Sequence, residues 1–269
     1  MAKKPNPPTK ICYGIPSYGS QGPEWWVPLV RQAAHLRDFG LELVDVLNEH
    51  TMRTDANRNR IVERFLATDA TWLFWVDADN VNPLGALSRL FDVVRDGKKK
   101  LVAGIYYGKG VPNHNPIAYH KAIDGYTNLA GWTPGEILPI DAAGMNCVLS
   151  HRVVYEDMRQ GFVMLRRPRG GIVLVKRENI VGDVRRDSQG ENDDKVIDGV
   201  LQDRLIPLSS DVPFPYFTLT EGRTEDYSFF EHAAECGSRL WIDTSVECEH
   251  LVAHAVSGKD YRASLEVSP

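Results

Sequence analysis

The sequence predicts an α/β fold built on a central, mainly parallel sheet. Three observations predict it. From Ile11 to Tyr107 short apolar runs alternate with segments of helical spacing. One of those runs, Thr71 to Val76 (TWLFWV), is almost wholly apolar, as a central strand covered on both faces must be. At 269 residues, with 43% hydrophobic and 25% charged, the chain can enclose a real core, which excludes wholesale disorder.

The elements follow in order. Ile11 to Ile15 reads as a buried strand that runs into the turn Pro16-Ser17-Tyr18-Gly19. Glu24 to Phe39 has helical spacing, with Trp25, Trp26, Leu29, Val30, Ala33 and Leu36 on one face and Gly40 as its stop. Leu41 to Val46 is a second strand. Asp55 to Ala67 is a helix with Thr54 as N-cap and Ile61, Val62, Phe65 and Leu66 as its apolar face. After the TWLFWV strand, Asn82-Pro83 opens a helix through Leu84, Leu90, Val93 and Val94. Leu101 to Tyr107 is the next strand.

The second half is less regular. Met145 to Leu149 reads as a strand, His151 to Arg159 as a helix, and Ile172 to Val175 as a strand. Thr224 to Glu235 is again helical, and Arg239 to Ile242 again a strand. Residues from about 160 to 215 are polar, glycine-rich and charge-dense, above all at RRDSQGENDDK (185–195), and read as an insertion or acceptor-side loop region. No repeat and no linker divides the chain, so a single domain with a loose start over residues 1–10 is expected.

Composition excludes some functions. A formal net charge of -5 argues against a protein bound all over to nucleic acid, though a local basic patch stays open. Cys12, Cys147, Cys236 and Cys248 form no CxxC pair, so neither a zinc knuckle nor a disulfide scaffold is expected. No apolar run approaches the ~20 residues needed to cross a bilayer, and no signal peptide is visible. A soluble, cytoplasmic protein with reduced thiols is the expectation.

The chemistry concentrates at Asp77-Ala78-Asp79, directly after the TWLFWV strand. Two carboxylates leaving a buried strand repel each other unless a positive charge joins them. A hard divalent cation that bridges to phosphate oxygens suits that place. The bland alternative is a pair of acids facing solvent.

FLATDATWLFWVDADNV resembles the Asp-x-Asp segment of GT-A-fold glycosyltransferases, in the broad group similar to the family-two enzymes. Three further segments agree in order and spacing: ICYGIPSYG with the first strand and nucleotide-contacting turn, DAAGMNCVLSHRVVYEDM with the donor-sugar pocket, and TEDYSFFEHAAECGSRLWIDTSVECEH with the late acidic helix start and metal-facing histidine. The resemblance spans nearly the whole chain outside residues 160 to 215, and it implies a Rossmann-type three-layer fold. It also implies a metal-dependent transfer of a sugar from a nucleotide-diphosphate donor, by family default a UDP-sugar.

Carried over by position, the resemblance makes Asp79 the direct metal ligand. Asp77 would contact the ribose or a metal-bound water. His250 would be a further metal ligand, with His254 as the alternative. Manganese or magnesium would suit that oxygen and nitrogen set. Glu225 and Asp226 are the candidate pair for the base that takes a proton from an acceptor hydroxyl, with Asp226 favoured. Helix capping explains the same two acids, and a retaining enzyme would not use them as base. Pro16, Ser17 and Tyr18 would meet the nucleoside, and Ala143 and Gly144 would let backbone approach the sugar. Arg58 would pair with phosphate or orient Asp77, or else, like Arg60, lie on a solvated helix face.

The acceptor is less legible. Trp132, in AGWTPGE, is the tryptophan to stack on a sugar, whereas Trp72 and Trp75 belong to the core and Trp25 and Trp26 to packing. Arg159, Arg166, Arg167, Arg169, Lys176 and Arg177 form an acid-free basic stretch. Some viral enzymes that the sequence resembles in this general way glycosylate modified DNA bases. The acceptor is therefore read as a glycan, or as phage DNA carrying a hydroxymethylated base. Two other readings compete: a nucleotidyl- or phosphoryl-transfer enzyme, against which GIPSYGSQG lacks the GxxxxGK phosphate loop, and a nucleotide-sugar-binding module without catalysis.

Overall fold

The computed structural model describes residues 7–17, 22–109, 114–166, 172–180, 195–197, 200–202, 206–208, 212–219, 223–251, 255–256, 258 and 262. Tyr18, His254, Arg167, Arg169 and nearly all of 185–195 lie outside the described residues.

Twelve elements carry the fold. In chain order they are β1 (Thr9–Pro16), α1 (Pro23–Ala34), β2 (Leu41–Glu49), α2 (Thr54–Leu66), β3 (Trp72–Trp75), α3 (Ala86–Val94) and β4 (Leu101–Ile105). There follow β5 (Ile137–Ile140), β6 (Val148–His151), α4 (Arg152–Gly161), α5 (Glu225–Glu235) and β7 (Leu240–Glu247). The seven strands form one sheet in the order β2-β1-β3-β6-β4-β7-β5. β1, β2, β3, β4 and β7 point the same way, while β6 runs antiparallel between β3 and β4 and β5 runs antiparallel at the edge.

Each face of the sheet carries its own core. In β3, Leu73 and Trp75 point into one cluster with Ile61, Phe65, Tyr155 and Phe229. Trp72 and Phe74, one residue out of phase, point into the other with Trp25, Leu29, Leu87 and Leu90. So α2, α4 and α5 cover one face and α1 and α3 the other: three layers, as the unbroken apolar run of β3 requires. Phe74 is wholly buried, and trimming it to Ala would cost roughly 3–5 kcal/mol. Some polar atoms drawn into the core are paired: Trp75 Nε1 donates to the Tyr155 hydroxyl at 2.9 Å, which meets Ser150 Oγ at 2.6 Å.

Several boundaries differ from the sequence expectation. The first helix is broken at His35, and a 3-10 turn (Leu36–Phe39) replaces its last turn before Gly40 takes a left-handed φ of 73°. Its buried face is Trp25, Leu29 and Gln32, because Gln32 accepts from the buried Tyr13 hydroxyl. Trp26 and Val30 are consequently exposed. Thr54 is the first residue of α2 rather than its cap, and Arg53 stands at the capping position. Leu84 lies outside α3, which starts only after Gly85 with its φ of 95°. β5 is only the four residues ILPI with a proline inside, and the hairpin of Ala118–Ala122 with Gly125–Asn128 carries no apolar run, so patterning missed them.

Candidate active site

The carboxyl ends of β1, β2, β3, β4 and β7 share one edge, where ligands of open α/β sheets bind. Asp77 and Asp79 leave β3 there. In an extended segment, residues two apart face the same way. A turn at Ala78 and Asp79 breaks that rule and sends the two carboxylates to different partners.

Asp77 turns inward. Its backbone N–H donates to Asn146 Oδ1 at 3.1 Å, and its carbonyl accepts Trp25 Nε1 at 2.9 Å. Both carboxylate oxygens accept from Arg58 Nη2, at 3.0 and 3.2 Å. The other arm of Arg58, Nη1, donates to Glu225 Oε1 at 2.5 Å and to Asp226. Arg58 is 3% exposed and lies over the Phe217 ring, 5.8 Å from its centre. One guanidinium thus gathers three carboxylates from β3 and the first turn of α5, a use of the planar fork that lysine could not copy. Arg60, one turn-phase away, is exposed.

Three acids around one cation leave excess negative charge in a buried place. Burial pushes the Asp226 carboxyl up to about 7, with Glu225 and Asp77 adding to the rise while Arg58 and the Met145 backbone N–H oppose it. Burial also raises Asp77, against the pull of Arg58. An acid near 7 is suited to take and give protons at neutral pH.

Asp79 turns outward. The chain after it, Asn80–Val81, pairs antiparallel with Glu249–Leu251, in the register His250 opposite Asn80. Leu251 N–H donates to the Asp79 carbonyl at 2.7 Å. This short ladder brings His250 Nε2 to 3.3 Å from Asp79 Oδ2, across 171 residues of sequence. The other ring nitrogen, Nδ1, lies 2.9 Å from the Tyr107 carbonyl, which can only accept, so Nδ1 carries a proton and Nε2 is the ring nitrogen that faces Asp79. Histidines that ligate metals are oriented in this way by a second hydrogen bond. Lys109 Nζ donates to the same Asp79 oxygen at 2.8 Å. Despite the penalty of burial, His250 and Lys109 hold the Asp79 carboxyl well below the usual carboxylate range.

The residues fit a divalent cation with one oxygen and one nitrogen ligand, Asp79 and His250, the rest coming from a ligand's own oxygens. Among the described residues, no three His, Cys, Asp or Glu side chains gather into a metal cage. Asp77 in particular is not brought to the Asp79–His250 pair, because Arg58 holds both its oxygens.

The other expected positions lie around this edge. Pro16 ends β1, and Ser17 is buried, its Oγ donating to Asn48 Oδ1 at 2.7 Å. Ala143 is buried beside the hairpin strand, opposite Ala118. A Cβ on Gly144 would overlap the Tyr106 hydroxyl, so this glycine is fixed by close approach. Trp132 is half-buried against the larger core cluster. In the basic stretch, Arg159 pairs with Glu63 at 3.1 Å and Lys176 with Glu178 at 3.0 Å.

Two functional positions escaped the sequence reading. Tyr106 is 5% exposed at the end of β4, packs edge-on against the His250 ring, and feels the charges of Asp77, Asp226 and Asp79, which with burial raise its hydroxyl. Lys109 follows three residues later. The signal for both was the YYGKG that ends the LVAGI strand on the same sheet edge.

No family model and no curated protein sequence matches the chain. Among solved structures, A197 from STIV superposes with a TM-score of 0.51 and 17% identity over 94% of this chain and 91% of that one. GalNAc-T7, crystallised with UDP, GalNAc and Mn2+, superposes with a TM-score of 0.52 and 10% identity over 98% of this chain, which spans only 48% of that protein. At such identities the likeness concerns the fold: the chain has a mixed α/β, GT-A-like fold around a seven-stranded sheet.

Proposed function

We propose that the protein is a metal-dependent glycosyltransferase that moves a sugar from a nucleotide-diphosphate donor to an acceptor hydroxyl. A UDP-sugar is the favoured donor, and manganese or magnesium the cation. The observation that carries this reading is the joint placement of two acidic centres at one sheet edge: the buried Arg58–Asp77–Glu225–Asp226 cluster and the open Asp79–His250 pair.

The residues divide the work. Asp79 and His250 would hold the cation, which when bound supplies Lewis-acid charge neutralisation for a departing diphosphate. Ser17 would meet the nucleoside at the end of β1, while Asp77, both oxygens held by Arg58, anchors the buried cluster beside it. Ala143 and Gly144, which pack without bulk against Ala118 and Tyr106, would form the floor beneath the sugar. Asp226 would take the acceptor's proton, and Arg58 fixes that carboxylate in place while offsetting part of its charge.

Calorimetric titration with nucleotide diphosphates and their sugars, with and without Mn2+, tests the reading. The expected result is binding of one diphosphate that needs the cation and is lost in Asp79→Ala. No binding of any of them with metal present would overturn it and move phosphoryl transfer ahead. Membrane attachment through a helix has no support among the described residues, where no helix is long and apolar enough to cross a bilayer.

A further inference from the structure

We infer that three tyrosines beside Asp226 form the acceptor subsite, and that this subsite takes the ring of an uncharged sugar. The inference rests on the glycosyltransferase reading and goes beyond it by naming the acceptor's place and chemistry. Tyr227 directly follows Asp226 in the first turn of α5. Successive helical side chains diverge by about 100°, so Asp226 reaches Arg58 while Tyr227 turns to the hairpin of Ala118–Ala122 and Gly125–Asn128. That hairpin supplies the other two rings. Tyr119 and Tyr126 lie 5.2 and 4.5 Å from the Tyr227 ring centre and 6.4 Å from each other. Ala118 and Tyr119 pair with Ala143 and Ala142, so the same hairpin strand touches the small residues assigned to the donor sugar.

All three rings are half-buried: they pack against the larger core cluster and one another, and part of each stays at the surface beside the start of α5. The faces of an aromatic ring are electron-rich, and the C–H faces of a pyranose are their complement. Glu231, one turn beyond Tyr227, supplies a polar rim. Its Oε1 accepts from Tyr126 Oη at 2.9 Å, Arg223 Nη1 at 3.0 Å and Lys121 Nζ at 3.1 Å.

A nucleobase could also stack on tyrosine, and charge decides against it. Nucleic acid is held chiefly through phosphates, which need available cations. Among the described residues, Lys121 and Arg223 at this rim are paired to Glu231, Arg159 and Lys176 of the basic stretch are paired to acids of their own, and Arg177 donates to the Gln160 carbonyl. Asp141, which accepts the Lys121 backbone N–H at 2.8 Å, balances the second cation, so the rim offers hydrogen bonds without net positive charge, which suits a neutral sugar.

Saturation-transfer NMR on the full chain with UDP and Mn2+ tests this, using methyl glycosides of glucose, galactose, mannose and N-acetylglucosamine, and a duplex DNA with hydroxymethylated cytosine. At least one glycoside should receive transfer from the wild type. The signal should fall about fivefold or more in Tyr119→Leu/Tyr227→Leu and survive in Tyr227→Phe, which keeps the ring. Equal transfer in the double variant, no transfer to any glycoside, or competition by the DNA instead would overturn the assignment. UDP binding with Mn2+, measured on the same samples, separates the two levels. If it persists while the glycosides fail, only the acceptor assignment falls, and if it is absent in the wild type, the donor reading falls as well.

Discussion

Asp77 and Asp79 come from one tripeptide and end in opposite environments. Asp77 is part of a buried cluster whose counter-charge, Arg58, is built into α2 and is 3% exposed. Asp79 is half exposed, and its counter-charges are a histidine ring and the side chain of Lys109, itself 40% exposed. The first arrangement carries its cation inside the fold. The second is held together by groups that a stronger cation could replace. The difference teaches that a paired-acid motif can serve two purposes, one carboxylate anchoring the site and the other receiving what binds there.

Breaking the buried cluster should have the largest effect. Arg58→Ala leaves three carboxylates without their cation, a loss of about 3–5 kcal/mol for a broken buried pair. Thermal unfolding should show a large drop, or no folded protein at all. Arg58→Lys keeps the charge but not the two-armed fork, so it should fold with a lower Tm and have a strongly reduced kcat. A wild-type Tm and kcat in Arg58→Lys would show that the fork does not matter.

The open side should respond differently. Asp79→Asn removes an exposed charge, so Tm should stay close to wild type, while metal-dependent nucleotide affinity falls roughly tenfold or more. A large loss of Tm in that variant would erase the distinction between the two carboxylates.

This contrast also marks how far the sequence could be read. The strand ahead of DAD and the helix after TED were legible from local patterning, and the family resemblance pointed to the acids on them and to the late histidine. Asp79, His250 and Asp226 therefore stood out as separate candidates, and the sheet edge that unites them followed from the alternation of strands and helices. What was not legible depends on contacts distant in sequence. Arg58 looked as much like a solvated helix residue as a site residue, because 167 positions separate it from Glu225. The split between Asp77 and Asp79 hangs on one turn, which the alternating pattern of an extended segment would not suggest. The aromatic hairpin of Tyr119 and Tyr126 carries no apolar run at all.

A pH profile sharpens the buried half of the comparison. Burial raises the Asp226 carboxyl from its ordinary 3.8 to about 7, so it is protonated in mild acid. If it is the base, kcat/KM should fall about tenfold per pH unit below that value and level off above it. Stability should move the other way. The unfolded carboxyl loses its proton near its ordinary value while the folded one keeps it, so folding stability declines as pH rises from about 4 to 7. Asp226→Asn should be slow at every pH and lack this decline. An unchanged rate profile in that variant would remove Asp226 as base.

The smallest expected effect probes the open half. Lys109 and a divalent cation compete for the same oxygen, Asp79 Oδ2, and cannot both hold it closely. An exposed ion pair of this kind is worth about 0.2–1 kcal/mol, so releasing it should tighten cation binding only a few-fold. Mn2+ titrated into nucleotide-free protein and followed by electron paramagnetic resonance reads that affinity directly. Lys109→Gln should bind Mn2+ a few-fold more tightly than wild type, and added salt should narrow the gap by screening the pair it removes. Weaker or unchanged Mn2+ binding would mean that the Lys109 ammonium does not guard Asp79 in solution. Asp79 would then not be held by an exchangeable group, and that half of its contrast with Asp77 would fail.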